Sequence, residues 1–317
     1  MCIRDRSIFG HQDIDFEASE CCGKIKFEQT EFGVGKLNFH TVEYDKADVL
    51  FEHINFNNNI VSFNLSRVKS LTFRSCEFNK YFDLRVAHCG KMDFTESIIR
   101  DIVDINPYEN YFNVDILDFS GLILLGRIYI DWRKAGLREK IYSLQTDDRN
   151  RSEQFRMLKQ NYYTIGNYEY EDLAYIEFKR AEMKADLQES VKDNPYTAPF
   201  AYIKYGFVWL TLDKTGRFAT NPVRVLQSMI IIYFFYSCLY FIMPMITDTH
   251  ISTVLPDAEP LSAIAKGFYF SGVSFFTIGY GDYYPIGSLR WIAITEGFLG
   301  VFMMSYLAVA FVRKILR

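Results

Sequence analysis

The chain has 317 residues and a formal net charge of −4, so it is long enough for more than one domain and lacks the basic excess of a general nucleic-acid binder. Hydrophobic residues make up 49% and aromatic residues 17%, led by 29 Phe and 22 Tyr, but these averages conceal a gradient. Charges are spread evenly to about Asp213 and become sparse from Val223 onward, which excludes a uniformly soluble chain.

The opening has no apolar run of a secretory signal. Its first residues, "MCIRDR", resemble an in-frame translation of a sequencing-library adapter, so residues 1–7 are set aside as a non-native start. The six cysteines (Cys2, Cys21, Cys22, Cys76, Cys89 and Cys238) contain no CxxC pair and no His at zinc-ligand spacing. They fit a reducing cytosol better than a disulfide framework or a metal site.

Residues 8–146 are expected to form one β-rich domain. The triplets "LNF" (Leu37 to Phe39), "INF" (Ile54 to Phe56), "MDF" (Met92 to Phe94) and "LDF" (Leu117 to Phe119) place apolar residues on either side of a polar one. That is the period of a strand with one buried face. Aromatic pairs five apart recur at Phe27 and Phe32, Phe39 and Tyr44, Phe51 and Phe56, and Phe73 and Phe78. Self-similarity of this kind predicts a β-solenoid, in which each rung buries its inner face on the next. The pattern resembles the pentapeptide-repeat family, whose fold is a right-handed β-helix. The central aromatics and the preceding Asn38, Asn55, Asp93 and Asp118 match. The family's small residue two before the centre is replaced by Leu37, Ile54, Val61, Leu71, Met92 and Leu117, which puts the tight square coil in question. His40, His53 and His88 fall at no ligand or triad spacing, and no enzyme is expected.

Residues 147–193 change period. Phe155, Leu158, Tyr162 and Ile165, then Leu173, Ile176 and Met183, recur at helical spacing on either side of Gly166-Asn167. This predicts a helical hairpin coupler with Ser152 or Asp148 as N-cap, closed by Asn194-Pro195. Residues 196–217 put Phe200, Ile203, Phe207 and Leu210 on one face with Tyr202, Tyr205 and Trp209 nearby, an interfacial amphipathic helix. Thr220-Asn221-Pro222 would tether it to the first of two long apolar runs.

Residues 222–317 are expected to form a membrane domain. The runs 225–246 and 291–312 are apolar enough to span a bilayer, with Glu296 the single charge in the second. Between them, 262–276 is apolar but short, a re-entrant pore helix. Irregular backbone at membrane depth survives only when buried in protein or lining a wet path. Lys204, Lys214, Arg217 and Arg224 precede the first span, and Arg313, Lys314 and Arg317 come after the second. The intervening loop carries Asp248, Asp257 and Glu259, so both termini are expected to be cytoplasmic and the outer mouth acidic.

After the short helix comes "TIGYGD", Thr277 to Asp282. Backbone carbonyls can replace the hydration shell of a cation if successive residues alternate in hand, and Gly279 and Gly281 suit positions needing φ > 0. Thr277 can add a hydroxyl, and Tyr280 would face away and brace the loop on the pore helix. The order of first span, pore helix, "TIGYGD", Tyr284-Pro285 and second span is similar to the two-transmembrane potassium channel family, over roughly Pro222 to Arg317.

That resemblance implies a homotetramer, because one loop cannot encircle an ion. It implies a filter at residues 277–281, with K⁺ ions held at Thr277, Ile278, Gly279 and Tyr280, and Gly281 closing it. Asp282 would be the outer-mouth carboxylate and Gly300 the gating hinge, with Gly297 as competitor and close packing as the other use of either glycine. No helix carries Arg or Lys at every third position, so no voltage sensor is expected. Phe276 stands where many members have Thr or Ser, Val273 where some have Glu, and Tyr269 and Phe270 where an aromatic cuff is expected. Glu296, the intramembrane acid, either lines the cavity and attracts cations or hydrogen-bonds behind the pore helix to Ser271 or Ser274.

The expected fold class is therefore mixed: an α-helical two-span pore-loop domain, a cytoplasmic all-β right-handed solenoid-like domain, and a helical linker. The expected function is a homotetrameric potassium-selective channel whose gating the cytoplasmic domain modulates. A constitutive leak channel with the solenoid as assembly scaffold, and a membrane-anchored interaction protein with a non-conducting pore, are the alternatives. K⁺ ions are the expected cofactor, with no organic one, and the lipid bilayer the expected surroundings. A cytoplasmic ligand or protein partner is left open, no nucleic acid is expected, and the location is the plasma (inner) membrane of a prokaryote.

Overall fold

A computed structural model describes residues 8–106, 113–254 and 261–316. The adapter-like start, Cys2, Asp257, Glu259 and Arg317 lie outside the described residues. The chain separates into two compact units, Met1–Ala198 and Pro199–Arg317.

The first unit begins as a β-solenoid of parallel strands. On its six-stranded face Ile14 lies over Leu37, Leu37 over Val61, Val61 over Phe82, Phe82 over Val103, and Val103 over Ile128. A turn thus advances by between 21 residues (Val61 to Phe82) and 25 (Val103 to Ile128). A five-stranded face carries the longest strands, such as Glu43–Glu52 and Arg67–Arg74, and a third face carries short ones such as Glu77–Phe78.

The interior is built of phenylalanine ladders. Phe27, Phe51, Phe73, Phe94 and Phe119 stack in succession with ring centroids 4.9 to 5.7 Å apart, and Phe16, Phe39 and Phe63 form a second column. Leu37, Ile54, Val61, Leu71, Met92 and Leu117 are all at most 1% exposed. The solenoid is therefore pentapeptide-repeat-like in its inward pattern but looser than a square coil of five-residue faces, and its longer turns house large residues where an alanine would otherwise sit. Corners recur in register: Ala18, Thr41 and Leu65 on one edge, and Gln29, His53, Ser75 and Glu96 on another, all hold positive φ. Burial pushes the thiols of Cys76 and Cys89 up to about 12, so both stay protonated and act as small apolar fillers.

Three helices finish this unit: α1 (Leu137–Ser143), α2 (Asp148–Ile165) and α3 (Tyr168–Asp193). The hairpin breaks at Gly166 as expected, but its N-cap is Asp147, whose side chain accepts from the Asn150 amide; Asp148 and Ser152 lie inside the helix. The short α1 is not marked by helical periodicity in the sequence. The hairpin also closes the end of the solenoid. The Asn161 side chain accepts from the Ile128 amide at 2.9 Å and donates to the Ile128 carbonyl at 2.8 Å, replacing the missing next strand. Tyr162 donates to the Ile130 carbonyl at 3.1 Å. An open parallel sheet edge is an aggregation hazard, and α2 covers part of this one.

The second unit starts with α4 (Ala198–Val208), which winds on through a π-helical stretch, Trp209–Lys214. Phe200, Ile203, Phe207 and Leu210 are all exposed. Then come α5 (Pro222–Ile246), α6 (Ala263–Phe275) and α7 (Leu289–Ile315). Asn221 caps α5 and Ser262 caps α6, each accepting an amide proton of the first turn. Both long helices have the length and composition to cross a membrane, and only 22% and 17% of their most apolar stretches are buried, so neither is the core helix of a soluble domain.

Candidate functional site

The site is assembled from the junction of α5, α6 and α7 upward. Phe270 of α6 packs edge-on against Tyr240 of α5 with ring centroids 4.9 Å apart. The Tyr233 hydroxyl donates to the Phe268 carbonyl at 3.2 Å, and Ser271 reaches the Tyr233 carbonyl at 3.3 Å. On the other side α7 crosses the end of α6 at Gly300. A Cβ at Gly300 would overlap the Phe275 carbonyl oxygen and sit 2.9 Å from its carbon, so only glycine allows this approach. Gly297 has far more room, its nearest neighbour being the Ser274 carbonyl at 3.9 Å.

Glu296 is fully buried where the three helices meet. The Ser271 hydroxyl of α6 donates to it at 2.5 Å and the Tyr240 hydroxyl of α5 at 2.8 Å. The acid therefore lies behind the short helix, with Ser271 rather than Ser274 as its serine partner. Tyr240 is missed by sequence reasoning; its only signal is a phenol in an otherwise uncharged span.

Beyond α6 the backbone changes hand at alternate positions. Thr277, Gly279 and Gly281 have φ of 54°, 66° and 75°. The two glycines occupy the positive-φ positions the sequence assigned to them, and Thr277 joins them although a β-branched residue is strained there. The stretch is anchored at its base, where the Ile278 amide donates to the Val273 carbonyl at 2.9 Å and the Thr277 amide to the Ser274 carbonyl at 3.1 Å. The Thr277 hydroxyl donates to the Phe276 carbonyl at 2.7 Å.

At the far end the Tyr269 hydroxyl of α6 donates to Asp282 at 2.7 Å, and the Asp282 carboxylate also accepts the Tyr283 amide. Tyr269 thus links the short helix to the end of the loop, and Tyr280 is 71% exposed in the single chain. Ile251–Thr253 pairs antiparallel with Tyr283–Pro285, fastening the preceding loop to the segment just after the glycines. Ile278 is 50% and Phe276 47% exposed, so one chain alone leaves this apolar loop uncovered. Among the described residues no group of three His, Cys, Asp or Glu side chains could hold a metal ion.

Residues 225–317 match the family model described as Ion channel. The match takes in α5, α6, the glycine loop and α7. Protein LctB of Geobacillus stearothermophilus is 40% identical over 57 residues, covering 17% of this chain and 42% of that protein. Protein LctB of Bacillus caldotenax is 44% identical over 45 residues, 14% of this chain and 34% of that protein. The chain spans less than half the length of the curated relatives it matches. No solved structure matches it.

Proposed function

We propose that this chain is a potassium-selective channel that works as a homotetramer, with four copies of residues 277–281 forming one filter. The observation that carries this reading is the loop itself. Positive φ at Thr277, Gly279 and Gly281 alternates with the ordinary hand between them, the backbone alternation that a chain needs to aim successive carbonyls at an alkali cation. The exposed Ile278 and Tyr280 support the tetramer, because neighbouring copies would cover apolar surface that one chain leaves open. K⁺ would sit at Thr277, Ile278, Gly279 and Tyr280, with Asp282 as the outer-mouth carboxylate held by Tyr269.

Basic residues on the cytoplasmic side of both spans favour cytoplasmic termini in a prokaryotic inner membrane. Gly300 serves close packing on α6, and bending at the same place is its second proposed use. The solenoid unit is proposed to sense a cytoplasmic ligand or partner. Because α2 caps the last rung, a truncation that tests this role must remove the whole of Met1–Ala198, since a cut at Asp147 strips α2 of its partner. The direct test is K⁺ flux into liposomes holding the purified protein, with its mass in detergent measured in parallel. Flux together with a fourfold mass supports the channel, and no K⁺ flux under any condition rejects it.

A further inference from the structure

Between α4 and α5 the chain makes a tight elbow at residues 216–221. Arg217, Phe218 and Ala219 hold φ of 48°, 56° and 60°, three successive left-handed residues of which none is glycine. Such a run is costly for L-residues and persists only where surrounding contacts enforce it. The stretch leading into it, Trp209–Lys214, is π-helical, a rare winding often found at functional places.

The enforcing contacts come from both long helices. Arg224 of α5 donates to the Lys214 carbonyl and Ser228 to the Thr215 carbonyl, each at 3.0 Å. From α7, the Tyr306 hydroxyl donates to the Leu212 carbonyl at 2.8 Å and accepts the Ala219 amide at 2.7 Å. It thus closes the strained turn from both ends. Gly216 makes room for the ring, since a Cβ there would lie 2.6 Å from Tyr306 Cε1. Ala219, Val225, Met303, Tyr306 and Ala310 form one buried cluster around this contact.

We propose that Tyr306 is a positioning residue that ties the C-terminal half of α7 to the elbow, so that displacement of the interfacial helix is carried to the helix lining the exit of the conduction path. The tie is local geometry; its effect on flux rests on the channel reading above.

The test measures residue-level amide exchange and K⁺ flux on the full chain in liposomes, for the wild type, Tyr306→Phe, Trp209→Ala and the double variant. Tyr306→Phe keeps the ring and removes both hydrogen bonds. The expected result is exchange at the Ala219 amide at least ten times faster. The effect of Trp209→Ala on flux, present in the wild type, should shrink at least threefold in the Tyr306→Phe background. Unchanged Ala219 exchange overturns the tie. Faster exchange with the Trp209→Ala effect intact, or no Trp209→Ala effect in the wild type, overturns the transmission. A wild type that conducts no K⁺ counts against the channel reading instead, and the exchange measurement then decides the tie alone. Should Tyr306→Phe not assemble, Gly216→Ala, which displaces the ring, is expected to give the same Ala219 signature, and normal protection there rejects the tie.

Discussion

The Ser271 hydroxyl on α6 donates to the Glu296 carboxylate on α7 at 2.5 Å, and neither residue has any solvent exposure. With Tyr240 from α5 completing the set, three helices converge on one acid behind the short helix that leads into the glycine loop. The short helix ends at Phe275, two residues before the loop, so whatever fixes α6 also fixes the start of that loop. Glu296→Leu strands the buried Tyr240 hydroxyl, at about 1–3 kcal/mol, and leaves Ser271 only its longer bond to the Tyr233 carbonyl. Its thermal midpoint in detergent should fall well below that of the wild type. Glu296→Gln keeps one acceptor oxygen and should recover part of the loss. A leucine variant as stable as the wild type contradicts the brace.

Gly300 and Gly297 lie one turn apart on α7 and should respond in opposite ways. Alanine at 300 drives a methyl into the Phe275 carbonyl, which is backbone and cannot step aside. Overpacking of this kind costs roughly 1–3 kcal/mol and here would push α7 off α6. Alanine at 297 meets nothing closer than 3.9 Å and gains helix propensity. Thermal unfolding of the assembled protein separates them, and equal tolerance at both sites contradicts the packing described for Gly300.

Asn161 is the residue that ends the solenoid. Replacing it with alanine leaves the Ile128 amide and carbonyl without their side-chain partners, a loss of about 1–3 kcal/mol per buried group. Amide exchange in the last rung, Arg127–Tyr129, should accelerate, while the stacked rungs around Phe51 and Phe73 stay protected. Uniform loss of protection along the solenoid would contradict a local cap.

Acid should weaken the solenoid. Hydrogen bonds from Ser70 and then Lys69 hold the Asp48 carboxyl below its usual range, and Lys26 does the same for Glu52. At Asp93 burial pushes upward, but bonds from Lys91 and Thr95 outweigh it and the net direction is down. Groups with depressed folded values stabilise fully above the unfolded carboxylate range, about 4, and lose that contribution as the pH falls through the folded values. Asp104 is raised by burial and works in the opposite sense, one group against three. The midpoint of the solenoid transition should therefore begin to drop as the pH falls below about 5 and keep dropping through the folded values, and a flat or rising midpoint contradicts this balance.

Much of this was legible because it depends on local period. The two spans, the short helix between them and the glycine positions come from hydropathy runs and from a backbone geometry that only certain residues tolerate. The inward stripe of the solenoid comes from its period of two. Tyr240, Tyr306 and Asn161 were not legible, because each acts across a long stretch of chain and no spacing rule connects Tyr306 to Leu212 or Asn161 to Ile128. The bond between Tyr269 and Asp282 was not legible for a related reason: no spacing rule picks out which aromatic of the short helix reaches the carboxylate.

A filter of alternating backbone hand makes itself known in ion selectivity. Liposomes carrying the wild-type protein should take up K⁺ and exclude Na⁺. Gly279→Ala, which forces a Cβ onto a residue at φ 66°, should abolish selective uptake while the protein still assembles. Retained preference for K⁺ over Na⁺ in that variant would contradict a filter built on left-handed backbone at Gly279.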